Sequence, residues 1–279
     1  MLILFAIWVA GSWAMEFTAL HPRHWSIGPP PSARGWVYRD VSFKDSAGLT
    51  LRGWWIPGKQ KATIIMVHGW TASRQEPMGR ADYLHKAGYN LLLFDLRGHG
   101  ASDGNYTTLG WLEPDDVHAA VTFAKSQSAG PIALLGYSMG ASVVVEEAAH
   151  DSRVAAVIED SGFDTLSHAF QVHFQSMTFL PPVPLDRLVI AIGQLDLRLN
   201  IAQVRPIDSA HLLTVPTLGI IGTADTTVPP SEGFALFNAI SGPKQLLVIP
   251  GAGHVGGYQK ANSLYERTVL AFLQDHLNR

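Results

Sequence analysis

The stretch IALLGYSMGASVVVEEAAH, residues 132–150, decides the fold. It begins with a short, continuous apolar run, which suits a strand buried on both faces. It ends with apolar residues at helical spacing over 141–150. Between them lies Gly136-Tyr137-Ser138-Met139-Gly140, a G-x-S-x-G sequence in strand–turn–helix context. That context forms a nucleophile elbow. The sharp turn forces the serine into strained backbone geometry and leaves the flanking positions no room for a Cβ. The serine hydroxyl then stands above the sheet, with the helix N-terminus directed at a developing oxyanion.

Working outward, the same alternation recurs. Apolar runs at 63–67, 90–94, 154–158, 217–221 and 245–249 read as buried parallel strands. Helical spacing appears at 76–87, 112–125, 231–240 and 259–277. Residues 37–43 and 49–56 alternate as an antiparallel hairpin turning at Ser46-Ala47-Gly48. The expected fold is α/β: a doubly wound, mostly parallel, eight-stranded sheet. More than 50 residues separate the strand ending near Asp160 from the one starting at Thr217. A simple crossover needs far fewer. The insertion, 162–206, is expected to form a helical cap between strands 6 and 7. Phe170, Phe174, Met177 and Phe179 crowd it and Pro181, Pro182 and Pro184 break it.

A nucleophilic serine needs a base, and the base needs an orienting acid. His254 follows the last strand in Pro250-Gly251-Ala252-Gly253-His254, and Asp225 follows the preceding strand in Gly222-Thr223-Ala224-Asp225. Both fall beyond strand carboxyl ends, where α/β sites form. The order Ser138, Asp225, His254 is the order of this elbow. Asp160, ending the strand before, is the rival acid. His68 is expected to be a packed turn residue rather than a base. The oxyanion donors are expected to be the N–H groups of Met139 and Trp70.

Composition excludes other chemistries. There are no cysteines, so no disulfide scaffold, thiolate metal site or cysteine nucleophile. Lys plus Arg total 20 against 23 Asp plus Glu, a net charge of −3, which offers no basic excess for nucleic acid. Charged residues are 15% of the chain, against roughly 25% in an average soluble domain.

Residues 1–15 carry no charged side chain. Extended to residue 20, the run is long enough for a membrane anchor; a signal peptide and a helix docked on the domain are the rival readings. Residues 21–36 read as a Pro/Gly-rich linker, and the domain occupies 37–279.

Taken together, HGW at 68–70, FDLRGHGASDG at 94–104, GYSMG at 136–140, GTAD at 222–225 and GAGH at 251–254 resemble the α/β-hydrolases. The branch most resembled is related to esterases and serine peptidases and includes proteins with an N-terminal membrane segment. The resemblance implies a triad of Ser138, Asp225 and His254, with no metal or cofactor. It implies that Asp95, Arg97 and Asp103 buttress the site loops. The expected activity is hydrolysis of small-molecule carboxylic esters with short-to-medium apolar acyl groups. Trp70, Phe170, Phe174 and Met177 are the expected pocket. Peptidase, thioesterase and a silent binding protein are the alternatives. An aminopeptidase would place a carboxylate, such as Glu146-Glu147 or Glu159-Asp160, against a substrate ammonium.

Overall fold

Five strands carry no exposed residue: β3 (Thr63–Val67), β4 (Asn90–Phe94), β5 (Ile132–Tyr137), β7 (Thr217–Gly222) and, apart from half-buried Ala155, β6 (Val154–Asp160). With β1 (Arg39–Lys44), β2 (Thr50–Ile56) and β8 (Lys244–Ile249) they build one eight-stranded sheet in the order β1-β2-β4-β3-β5-β6-β7-β8. The computed structural model describes residues 17–22, 27–177 and 201–277, with side chains defined except at 173–177 and 201. β1 and β2 form the antiparallel hairpin, β2 runs antiparallel to β4, and the remaining pairs are parallel.

Period-two alternation divides the core. Ile65, Val67, Leu92, Phe94, Ile132 and Leu134 face one side. Ile64, Met66, Leu91, Leu93, Ala133 and Leu135 face the other. The helices are α1 (Gln75–Met78), α2 (Ala81–Lys86), α3 (Glu113–Gln127), α4 (Met139–His150), α5 (Leu166–Met177), α6 (Pro206–Ala210), α7 (Pro230–Ala239), α8 (Gly257–Lys260) and α9 (Asn262–Leu277). Side chains of α3, α4 and α7 cover the first face. Those of α1, α2 and α9 cover the second.

Two expected helices are each divided. The 76–87 run tightens at Gly79-Arg80, where the Arg80 N–H donates to the Pro77 carbonyl three residues back. Pro77 has no N–H and Gly79 weakens the helix, so the ladder breaks there. The 259–277 run is α8 and α9, separated at Ala261, which leaves helical geometry.

The insertion between β6 and β7 is described at both ends only: α5 enters it, and a short turn at Ile201–Gln203 leads out to α6. The rest of the expected cap lies outside the described residues, as do residues 1–16. Among the described residues no helix is long and apolar enough to cross a membrane. The segment 17–22 lies on the domain. Leu20 is buried in the core, the Thr107 N–H donates to its carbonyl, and the Trp70 indole N–H donates to the Ala19 carbonyl.

Candidate active site

β3 passes its chain to β4 on one side while β5 pairs on its other side, so a crevice opens above the β3 and β5 carboxyl ends. His68-Gly69-Trp70 leaves β3 and Ser138 leaves β5 at that crevice. Glycine makes the elbow possible. A Cβ at Gly136 would lie 2.2 Å from the Gly140 carbonyl oxygen, and one at Gly140 would lie 2.5 Å from the carbonyl oxygens of Val67 and His68. Packed this closely, the turn holds Ser138 at φ 54, ψ −121. Its N–H donates to the Asp160 carbonyl at 2.9 Å. Five described residues other than glycine have positive φ, and Thr71, Ser138, Ser161 and Val255 sit on the loops of this crevice. Such strain persists only where the surroundings over-determine it, and it gathers at functional sites.

Ser138 Oγ lies 2.8 Å from His254 Nε2, and His254 Nδ1 lies 2.8 Å from Asp225 Oδ2. An ionised carboxylate can only accept, so Nδ1 carries the proton and Nε2 accepts from the serine hydroxyl. The other Asp225 oxygen accepts the N–H groups of Thr227 and Val228, both at 2.9 Å, which fixes the carboxylate plane. The Asp225 side chain is 3% exposed and that of His254 is 23% exposed. The acid is shielded while the base faces the cleft.

Asp160 is not bonded to the histidine. Its oxygens accept the hydroxyls of Tyr265 at 2.8 Å and Ser161 at 3.0 Å. Burial raises its carboxyl above the ordinary range, opposed by Arg80 and those two hydroxyls. His68 is buried between two backbone groups. Its Nε2 accepts the Leu96 N–H, so Nδ1 carries the proton and donates to the Gly69 carbonyl. Burial first, then neighbouring His99, lowers its pKa to about 4. It is a neutral strut, not a base.

Met139 opens α4, so its N–H has no partner inside the helix. The Gly69 N–H donates to Glu76 Oε2 at 2.7 Å, which orients the loop carrying Trp70. Asp95 accepts Arg74 N–H, Arg74 Nε–H and Ala101 N–H, and Arg97 forks onto Asp116 and reaches Asp45. Asp103 accepts the Thr50 N–H on the surface. All three brace loops and none reaches the cleft.

The cleft beside Ser138 has a volume of about 480 Å³. Gly69, Trp70, Glu76, Arg80, Ser138, His254, Val255, Gly256 and Gln259 line it. Trp70 thus stands beside Ser138. Phe170 is half-buried against the core on the face covered by α3, α4 and α7. The side chains of Phe174 and Met177 lie outside the described residues, and so does Phe179. Among the described residues the carboxylate lining the cleft is Glu76, rather than Glu146-Glu147 or Glu159-Asp160. Burial raises its pKa, opposed by the Gly69 N–H and by Arg80. Glu76 and Arg80 escaped the sequence reading. Their signal is a charged pair four residues apart just after the HGW loop, which resembles an ordinary exposed helix pair.

A cluster outside the cleft, His118, Glu147 and Asp151, brings ligand atoms within 4.8 Å of one another. The Arg153 guanidinium already lies there, 2.6 Å from Asp151 and 3.2 Å from His118 Nε2. A protein cation takes the place a metal ion would need.

Residues 64–261 match the alpha/beta hydrolase family. The chain belongs to that family, and it is a hydrolase by fold and kinship. An uncharacterized Mycobacterium tuberculosis protein is 32% identical over 237 residues, spanning 82% of this chain and 77% of that one. YqkD of Bacillus subtilis, also uncharacterized, is 31% identical, spanning 83% and 77%. Among solved structures, the Pyrococcus furiosus esterase Pf2001 superposes with a TM-score of 0.77 at 26% identity, covering 93% of this chain and 98% of that one. These likenesses bring the hydrolase fold and an esterase neighbour; substrate and roles of individual residues rest on the geometry.

Proposed function

We propose that the protein is a carboxylesterase-type serine hydrolase that cleaves esters of short-to-medium apolar acyl groups. The observation that carries this reading is the aligned pair of 2.8 Å contacts from Ser138 through His254 to Asp225. Ser138 Oγ attacks the ester carbonyl carbon while His254 Nε2 takes its proton. The N–H groups of Met139 and Trp70 hold the oxyanion of the tetrahedral intermediate. Asp225 keeps the histidine tautomer and stabilises the imidazolium. Collapse expels the alcohol, protonated by His254, and leaves the acyl group on Ser138. Water then attacks, with His254 again as base, and releases the acid. The scheme uses no metal or cofactor.

A cleft of about 480 Å³ suits a small-molecule ester. Trp70 and Val255 supply its apolar walls. The aminopeptidase alternative would draw on Glu76, the carboxylate in the cleft, one oxygen of which already accepts the Gly69 N–H.

A fluorophosphonate reagent should label Ser138 in the folded chain, and Ser138→Ala should remove the label. An unlabelled, folded wild-type protein would replace the enzyme with a binding protein. In a panel of p-nitrophenyl esters of graded length beside aminoacyl nitroanilides, short and medium esters should turn over fastest. Turnover of the anilides alone would give the site to a peptidase.

A further inference from the structure

The two loops that must meet at Ser138 are tied to one short piece of chain. Glu76 Oε2 accepts the N–H of Gly69, at 2.7 Å, in the loop after β3. Arg80 Nη2–H donates to the carbonyl of Val255, at 2.6 Å, the residue after His254. The partners of the Arg80 bond are 175 residues apart in sequence, and those of the Glu76 bond only seven.

Val255 is β-branched, yet stands at φ 50. A left-handed valine is strongly disfavoured unless its surroundings hold it. Two tethers do so. The Val255 N–H donates to Ser161 Oγ at 3.2 Å, and its carbonyl receives Arg80. Arg80 is itself anchored from below. It is 5% exposed, and its guanidinium carbon lies 4.5 Å from the centre of the Tyr137 ring. Its Nε and Nη1 are enclosed and have no hydrogen-bond partner among the described residues, so those atoms are not presented to a ligand. The guanidinium is thus built to hold Val255 rather than to grip a substrate.

We propose that Glu76 and Arg80 are positioning residues forming a clamp, the first setting the oxyanion loop and the second setting the loop that presents His254. The inference rests on the serine-hydrolase reading of the site. Neither residue hydrogen-bonds Ser138 Oγ or the His254 ring, whose partners are each other and Asp225; each acts through the backbone it holds.

The test is the second-order rate of fluorophosphonate labelling at Ser138, followed in the full chain beside thermal unfolding, with ester kinetics run in parallel. Arg80→Met should slow labelling and lower kcat on the order of 10- to 100-fold with KM nearly unchanged, as expected for a base displaced by a fraction of an ångström. Arg80→Lys retains a donor and should recover most of the rate. Glu76→Ala should slow labelling, while Glu76→Gln, which keeps an acceptor oxygen, should not. If Arg80→Met does not fold, Ser161→Ala removes the opposite tether of the same residue and should lower kcat in the same way. A rise in KM at constant kcat would make Arg80 a substrate anchor and overturn the clamp. Wild-type labelling rates in folded Arg80→Met, or in folded Ser161→Ala where Arg80→Met does not fold, would also overturn it. Failure of the wild-type protein to label removes the serine-hydrolase reading instead, so the two failures are distinguishable.

Discussion

The elbow at residues 136–140 and the histidine loop at 250–256 both hold a strained residue, by opposite means. The elbow is rigid by exclusion. Its glycines lie so close to neighbouring carbonyls that the chain has no other path. The histidine loop is rigid by attachment. Val255 stays at its positive φ because Ser161 and Arg80, from distant elements, hold its N–H and carbonyl. A constraint of the first kind is written in five adjacent letters. One of the second kind is spread over the whole chain.

That contrast can be broken where the effect is largest, at the junction of the two loops. Asp225→Asn should leave the fold intact and lower kcat/KM about 10⁴-fold, because an amide no longer enforces the Nδ1–H tautomer of His254. A loss below tenfold in steady-state kinetics would mean that the histidine loop sets the tautomer without its acid. Next, Gly140→Ala places a Cβ 2.5 Å from two backbone oxygens. Backbone cannot step aside as a side chain does, so urea unfolding should show a loss of about 3 kcal/mol or more. A loss under about 1 kcal/mol would show that the elbow is not held by exclusion.

The smallest effect concerns the loop after β3, which is held by attachment both near and far in sequence. His68 bonds its neighbour Gly69 and the distant Leu96. Its pKa falls from 6.5 unfolded to about 4 folded. Between those values the unfolded chain binds more protons, so stability is full above pH 6.5 and declines as pH falls towards 4. From pH 7 to 4.5 the decline should be about 2 kcal/mol from this group. Urea unfolding of wild type and His68→Gln at both pH values isolates it: the gap between them should narrow at pH 4.5. An unchanged gap would mean that His68 takes up a proton without cost.

The same division explains what the sequence disclosed. The sheet was legible because strands such as 63–67 and 90–94 are buried on both faces and therefore apolar beyond their first residues, Thr63 and Asn90. The positions of Ser138, Asp225 and His254 were legible because strand ends and glycine loops announce themselves locally. The role of Phe170 was not legible, because an apolar residue on a helix looks alike whether it faces a cleft or a core. Asp160 was a fair rival on strand position, and its hydroxyl partners, neighbouring Ser161 and Tyr265 105 residues away, show where its carboxylate is spent. Glu76 and Arg80 were invisible, since their meaning lies in two backbone groups that no pattern of side chains encodes.

The first variable letter of the G-x-S-x-G motif is not idle here. Tyr137 has no measurable exposure, and its ring is the floor on which the Arg80 cation rests. Positions 80 and 137 are therefore coupled in packing: a smaller residue at 137 would take away the surface beneath the guanidinium that holds the histidine loop.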